Sequence, residues 1–514
     1  MLNVVAPGGS ALPIITVGEM VEGWRFEAIP DGISLVEKNK AVVDIYVNHE
    51  TSLVPFPLST SASGWLPTSQ GNGSQNDYDN AQLSRIRLHR GSAGVLDGEY
   101  VIPSSANYQR FCSNFMATSE QGFDRDILFT NEEATDFVSR TGTAYPAIPA
   151  TEPPAEQAGV VVAYDVKSGA YKTIYGMGRH NHENSVAIPG YDDLVILSGD
   201  DTFSAPSSQL YSYVAEDTDG VWNDTGSLYA FKSNDPNIND YGDLTGSAWV
   251  SGVMFPVPDA TADGPQGGLE TWSNANNIFQ FIRIEDIAYD RNDPNVVYLA
   301  DTGEPRALQH PTDPGPNRLS RGPSGTMGPY PNGRIFKMTL NASNPLVVDR
   351  LEILIDHDAM GAGNPAALHQ PDNLETTENS LLVQEDPGSH NSGTPAKIWR
   401  YDFDAETFTV VATVDQSADG EETDVDGFAD GAQGAWESSG ILDVSDVFGP
   451  GTFLVTIQAS TLWVEKETDL ADLPDNWTRN ASAPGGWTAG ADGFPDWIYK
   501  RSGGQLLLIT IPGA

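Results

Sequence analysis

The sequence predicts an all-β fold, a six-bladed β-propeller with long loop insertions, and three observations point that way. A pair of short motifs recurs six times along the 514 residues. The 51 glycines and 35 prolines fall largely between short apolar runs, as turns do between strands. A third kind of run, alternating aromatic and basic residues, follows most of the motif pairs.

Recurrence is the strongest of the three, because self-similarity at a steady period marks repeat architectures. One member of each pair is a β-type run ending in polar or acidic residues: DIYVNHE (44–50), DILFTNEE (126–133), DLVILSGDD (193–201), NVVYLADTGE (295–304), SLLVQEDPG (380–388) and TFLVTIQAS (452–460). Ahead of each stands a short polar motif: PDG (30–32), FCS (111–113), HEN (182–184), IED (284–286), PDN (371–373) and WES (436–438). Runs such as QLSRIRLHR (82–90), GRIFKMTLN (333–341) and KIWRYDFDAETFTVVATV (397–414) read as strand pairs with one face polar and solvated.

Six units of about four strands each match a propeller. Two stacked β-sandwiches would show similar strand spacing. They give no reason for a polar motif before the same strand type six times. The chain is longer than six compact blades of about 40–50 residues require. The surplus is predicted in Gly/Pro/Asp-rich inserts at 55–80, 138–157, 218–275, 302–332 and 415–435. No boundary divides the repeats, which run from about residue 22 to the C-terminus, so residues 1–514 are expected to form one domain.

Charge narrows the partners. With 27 basic against 71 acidic residues the net charge is −44, which repels nucleic acid and anionic membrane and attracts cations. No run approaches the roughly 18 apolar residues of a spanning helix. The first residues, MLNVVAPGGSALPIITVGEM, lack a basic n-region, so no signal peptide is visible. A single cysteine, Cys112, excludes an intrachain disulfide framework.

In a propeller the innermost strand of every blade lines the axis. If the short motifs begin these strands, Asp31, Cys112, Glu183, Glu285, Asp372 and Glu437 converge. The ends of the second strands add Glu50, Glu132, Glu133, Asp200, Asp201, Glu304, Glu385 and Asp386. So many carboxylates cannot ionise together unless cations or protons neutralise them. Oxygen-rich clusters suit Ca²⁺, and a thiolate among them asks for a softer metal such as iron or zinc. Arg283, two residues before Glu285, is expected on the same side of its strand. There it could anchor phosphate or carboxylate, or simply pair with its acidic neighbours. In GRHNHEN (178–184), His182 is a candidate metal ligand or proton shuttle. The stretch EETDVDGFADGAQGAWE (421–437) approaches a calcium loop but has Gln433 at its twelfth position. Phosphate-binding loop, dinucleotide and nucleophile-elbow motifs are absent.

VNHE (47–50), RFCS (110–113), TNEEA (130–134), GRHNHEN (178–184), RIED (283–286) and PDN (371–373) resemble, in order, the motifs of the PhoX-type alkaline phosphatases. These are exported propeller phosphomonoesterases dependent on calcium and iron. The resemblance implies iron (Fe³⁺) ligation by Cys112, with Glu183, Glu285 and Asp372 as iron or calcium ligands. It further implies Glu132 or Glu133 on calcium, Arg283 on the phosphate of a small ester substrate, and a location outside the cytoplasm, extracellular or periplasmic. Two departures stand out: Ile284 replaces the family's proline between Arg and Glu, and the residues around Glu183 differ. Two other expectations compete with phosphomonoester hydrolysis. One is a calcium-dependent lactonase or phosphodiesterase propeller; the other is a non-catalytic, calcium-stabilised surface or binding propeller.

Overall fold

A computed structural model of the chain describes residues 1–27, 29–50, 81–103, 106–135, 137–138, 156–202, 208–304, 330–388, 393–417, 433–465, 478–479, 487–488 and 500–514. The inserts expected at 55–80 and most of those at 138–157, 302–332 and 415–435 lie outside these residues, as does most of the calcium-loop-like stretch. The arrangement is all-β in character and propeller-like, with short helices only in connections.

Antiparallel meanders build the sheets. Pro30–Glu37, Val42–His49, Gln82–His89 and Val95–Ile102 form one. Phe111–Ala117, Ile127–Glu132, Val161–Asp165 and Tyr171–Ile174 form the next. A nine-stranded sheet has His182–Ile188 at one end and Ile284–Tyr289 at the other. Pro371–Thr376 starts a five-stranded sheet, and Glu437–Asp443 a four-stranded one. The six strands that open with the short polar motifs are therefore each at the end of a sheet. Adjacent ones then pack side by side.

The second strands show why the sheets stack. In DLVILSGDD, Leu194 and Ile196 enter an apolar cluster with Phe129 and Ala163, while Val195 and Leu197 enter another with Ile284 and Leu299. Successive side chains of a strand point to opposite faces, so a strand sandwiched between two sheets must be apolar throughout. Val43, Ile45 and Val47 likewise pack on Leu454 and Leu506, closing the first sheet onto the last. Each such buried aliphatic side chain contributes about 1.5–3 kcal/mol.

Two features add to the expected repeats. Strands ahead of residue 22 join the sheets: Leu2–Val4 pairs with Thr407–Val414, and Ser10–Thr16 pairs with Lys500–Thr510. The N-terminal strands thus supply outer edges that the C-terminal sheets would otherwise expose, and Pro13 sits on this edge, where its missing N–H costs little. The segment 218–275 is not only a loop insertion. It carries the strands Ser227–Ser233 and Trp249–Pro256, the latter joining two meanders into the nine-stranded sheet through Asn344–Asp356.

One irregularity recurs in every inner strand. From Pro30↔His49 to Ile33↔Val47 the inner strand advances one residue more than its partner. The same bulge follows Phe111, His182, Ile284 and Pro371, and in the last sheet it falls between Ser439 and Ile441. A bulge bends the strand and re-aims side chains. Here it sits where the short motifs lie.

Candidate metal centre

The second residue of five inner strands is Asp31, Cys112, Glu183, Glu285 or Asp372. The bulge beside each turns these groups to a common hub. Ligand atoms of Asp31, Glu50 and Cys112 lie within 4.8 Å of one another, as do those of Cys112, Glu133 and Glu183, and those of Glu183, Glu285 and Asp372. Cys112 and Glu183 each belong to two triads, so the three are continuous. All seven residues are at most 9% exposed.

Close backbone approach makes this convergence feasible. A Cβ at Gly32 would collide with the backbone of Ser113 and Asn114, and one at Gly440 with the carbonyl oxygen of Asp31. Gly440 also has φ +40°, a conformation L side chains adopt at a cost.

Within the hub, Cys112 Sγ lies 3.1 Å from Asp31 Oδ2 and 4.0 Å from Glu50 Oε1. Gln458 Nε2 donates to both of those oxygens, at 2.9 and 3.0 Å. Ser113 Oγ donates to Glu183 Oε1 at 2.8 Å and accepts from Asn373 Nδ2 at 2.8 Å. Arg283 donates two 2.6 Å bonds to Asp201 and comes within 3.1 Å of Glu285 Oε1. Arg283 and Glu285, two residues apart, thus meet on one side of the chain.

Burial dominates the electrostatics. It pushes Asp31 up to about 6 and Glu50 up to about 7, and it drives Glu133, Glu183, Glu285, Asp372 and Glu437 well above the usual carboxylate range. Neighbouring carboxylates add to the shift of all of these. Burial, then the surrounding acids, also raises the Cys112 thiol. Among the described residues, Asp31 Oδ1 and Glu183 Oε2 are buried without a hydrogen-bond partner, so protons satisfy such a centre poorly. Orphaned oxygens in a cluster of acids fit a bound cation. The donor set fits hard cations on the oxygens and a softer one at the sulfur.

Several candidates stand elsewhere. Glu132 is turned away from the hub, accepting from the backbone N–H of Gln109 at 2.8 Å, Gly159 at 3.1 Å and Val160 at 3.3 Å. Asp301 and Glu385 hold equivalent places and likewise bind backbone N–H groups. In the doublets Glu132–Glu133 and Glu385–Asp386 the first residue thus braces backbone beside the inner strand and leaves the second to face inward, whereas Asp200, before Asp201, accepts from Thr202 Oγ1 at 2.6 Å. His182 is the other correction. Its Nδ1 meets Ser198 Oγ at 2.7 Å, its Nε2 meets Gly178 O at 3.1 Å, and burial lowers its pKa to about 3. Its ring lies tilted against that of His180, with centroids 3.5 Å apart, and both of its nitrogens are taken by these partners and not by hub residues.

Sequence reasoning underrated Asp201, Asp386, Gln458 and Arg110. Arg110 Nε is 3.5 Å from Glu50 Oε2, and its Nη1 is 3.5 Å from Glu133 Oε2. Aligning the six motifs on their first inner-strand residue would have placed Arg110 in the same column as Arg283. Further along the inner strands a cavity of about 370 Å³ is lined by Ser113, Asn114, Asn184, Asp286 and Tyr289, among others. Its polar head is bonded to itself: Ser34 Oγ to Asn114 Oδ1 at 2.5 Å, and Asn184 Nδ2 to Asp286 Oδ1 at 2.5 Å.

Fold and hub define a class, a β-propeller-like protein whose inner strands meet at a buried centre of carboxylates and one thiol. No family model and no curated protein matches the chain. Solved structures similar to it include the Dos1 propeller, at 9% identity over 86% of this chain and 80% of that one, with a TM-score of 0.32. The parainfluenza virus 5 hemagglutinin-neuraminidase ectodomain is 10% identical over 98% and 83%, with a TM-score of 0.30. An exo-β-1,3-galactanase of Phanerochaete chrysosporium with galactose is 10% identical over 98% and 97%, with a TM-score of 0.27. Likeness this weak says nothing about what the chain does.

Proposed function

We propose that the chain is one six-bladed propeller domain and that its hub is the cation centre of a phosphomonoester hydrolase of the alkaline-phosphatase type. In support of six blades, each of the six polar-motif strands ends a sheet, and apolar clusters pack each sheet against the next and the last against the first. The observation that carries the function is Arg283 beside Glu285 at the rim of a thiol-containing carboxylate cluster with orphaned oxygens.

Asp31, Glu50, Cys112, Glu133, Glu183, Glu285 and Asp372 would hold the cations, calcium at the oxygens and iron at the sulfur. When bound, such cations polarise phosphoryl oxygens and stabilise a departing alkoxide. The chain's own residues do the rest. Asp201 fixes the guanidinium of Arg283 by two bonds, so its positive charge is held in place to stabilise developing phosphoryl charge without reorganisation. Gln458 and Ser113 fix the orientation of Asp31, Glu50 and Glu183. The small ester substrate, rather than a macromolecule, suits a hub lined by buried groups. The motif resemblance supports a location outside the cytoplasm. Among the described residues no helix is long and apolar enough to cross a membrane.

Hydrolysis of a chromogenic phosphate monoester, with lactones and phosphodiesters as comparison substrates, tests the reading. Cys112→Ala and Arg283→Ala are each expected to lose most turnover while keeping the fold. Unchanged turnover in both variants, or a preference for lactones, would overturn it.

A further inference from the structure

The cavity of about 370 Å³ that runs along the inner strands has two unlike ends. Its inner end, nearest the hub, is lined by polar groups that already serve one another. Asn373 Nδ2 donates to Ser113 Oγ at 2.8 Å, and Asn184 Nδ2 to Asp286 Oδ1 at 2.5 Å. Its wall is apolar, with Phe115, Val186, Ile287, Leu374 and Leu442. The outer end lies where the inner strands Ile284–Tyr289, Pro371–Thr376 and Glu437–Asp443 finish.

Charge is concentrated at that outer end. Arg291 is shared between two carboxylates, with Nη2 3.0 Å from Glu375 Oε1 and Nη1 2.8 Å from Asp443 Oδ2. Glu120 Oε1 accepts from the Tyr289 hydroxyl at 3.3 Å. Among the described residues lining this end, three carboxylates thus surround one guanidinium, and Asp286 adds an acid further in.

A cavity of this size is typical of small-molecule sites, which combine apolar walls with a few placed polar groups. Amides that serve one another at the inner end favour an apolar body there over a polar one. The acid excess at the outer end, in a chain of net charge −44, repels anions and attracts cations. Phe115 and Tyr289 supply aromatic surface, which favours ammonium groups.

We propose that this cavity binds an amphipathic organic cation, with an ammonium group at the Glu120–Tyr289 end and an alkyl body lying along the inner strands toward Asn373. The site is separate from the metal ligands of the hub and does not rest on the phosphomonoesterase reading.

Calorimetry with n-alkylammonium ions from butyl to octyl tests this, in excess calcium to occupy the hub and screen the acidic surface. One site per chain is expected, with affinity rising about three- to four-fold for each methylene buried. Octanol, which lacks the charge, should bind more weakly than octylammonium, and octanoate more weakly still. Glu120→Lys reverses an exposed charge and is expected to weaken octylammonium about three- to ten-fold. Leu442→Trp fills the half-buried wall and should remove the dependence on chain length. Equal affinity for octanol or octanoate would overturn the assignment of ligand class. Several sites per chain, or one site that neither variant weakens, would mean that the ions merely coat the acidic surface, and would overturn the proposal. Should Leu442→Trp lose its fold, the chain-length series in the wild type and in Glu120→Lys decides alone.

Discussion

Cys112 Sγ stands 3.1 Å from Oδ2 of Asp31, across a sequence separation of 81 residues. Among carboxylates, a buried sulfur whose titration burial pushes upward is a neutral thiol donating to its neighbour. A cation reverses that state, because a coordinating thiol and coordinating carboxylates lose their protons. Loading the cation-free protein is therefore expected to release more than one proton per chain. Calorimetry in buffers of different ionisation enthalpy measures this directly. A proton release of zero would mean that the hub is not where cations bind.

The pH dependence of the cation-free protein follows from the same carboxylates. Asp31 is raised to about 6 and Glu50 to about 7, above their unfolded values near 4. Below about pH 4 both states are protonated and nothing is lost. As pH rises from about 4 to 7 the unfolded chain ionises first, so folding stability falls, and above 7 the full penalty is present. Chemical denaturation at several pH values should show this decline, and saturating calcium should abolish most of it. A cation-free protein that gained stability from pH 4 to 7 would contradict the assignment.

Neighbouring residues Glu132 and Glu133 should behave differently. Glu132→Gln places an amide N–H₂ against backbone donors and leaves one of them unsatisfied, at a cost of about 1–3 kcal/mol. Its metal content should be unchanged. Glu133→Gln should lower metal content and leave the metal-free stability equal or higher, since a buried acid is removed. Denaturant midpoints and metal analysis on the two variants separate the roles.

Gly440 tests the close approach at the axis. With φ +40° and the Asp31 carbonyl oxygen where a Cβ would go, Gly440→Ala is expected to destabilise by about 2–4 kcal/mol. It should also weaken cation binding by displacing Asp31. A surface glycine with open space around it, Gly361→Ala for instance, should show no such coupling between stability and cations.

Inner-strand order and most of the hub were legible because a polar residue at the start of an otherwise apolar strand is costly unless it serves something. PDG, FCS, HEN, IED and PDN each begin a strand, and their second residue reaches the hub. What escaped was direction. Glu132 and Glu133 look alike in sequence, but an extended chain sends consecutive side chains opposite ways, and only the pairing register shows which faces inward. His182 looked available because it adjoins Glu183; the alternation that sends Glu183 inward sends the imidazole toward Ser198. The strands at Leu2–Val4, Ser227–Ser233 and Trp249–Pro256 were hidden by their Gly-, Pro- and Asp-rich flanks, and only long-range pairing reveals them.

On the proposed reading, cations rather than protons complete the hub. Metal analysis of the purified protein together with its visible absorption spectrum, compared with Cys112→Ser, tests it most directly. Tightly held calcium plus a transition metal is expected, with a thiolate-to-metal absorption band that disappears in Cys112→Ser. A colourless protein holding no cation after purification in their presence, with a spectrum and stability untouched by Cys112→Ser, would contradict it.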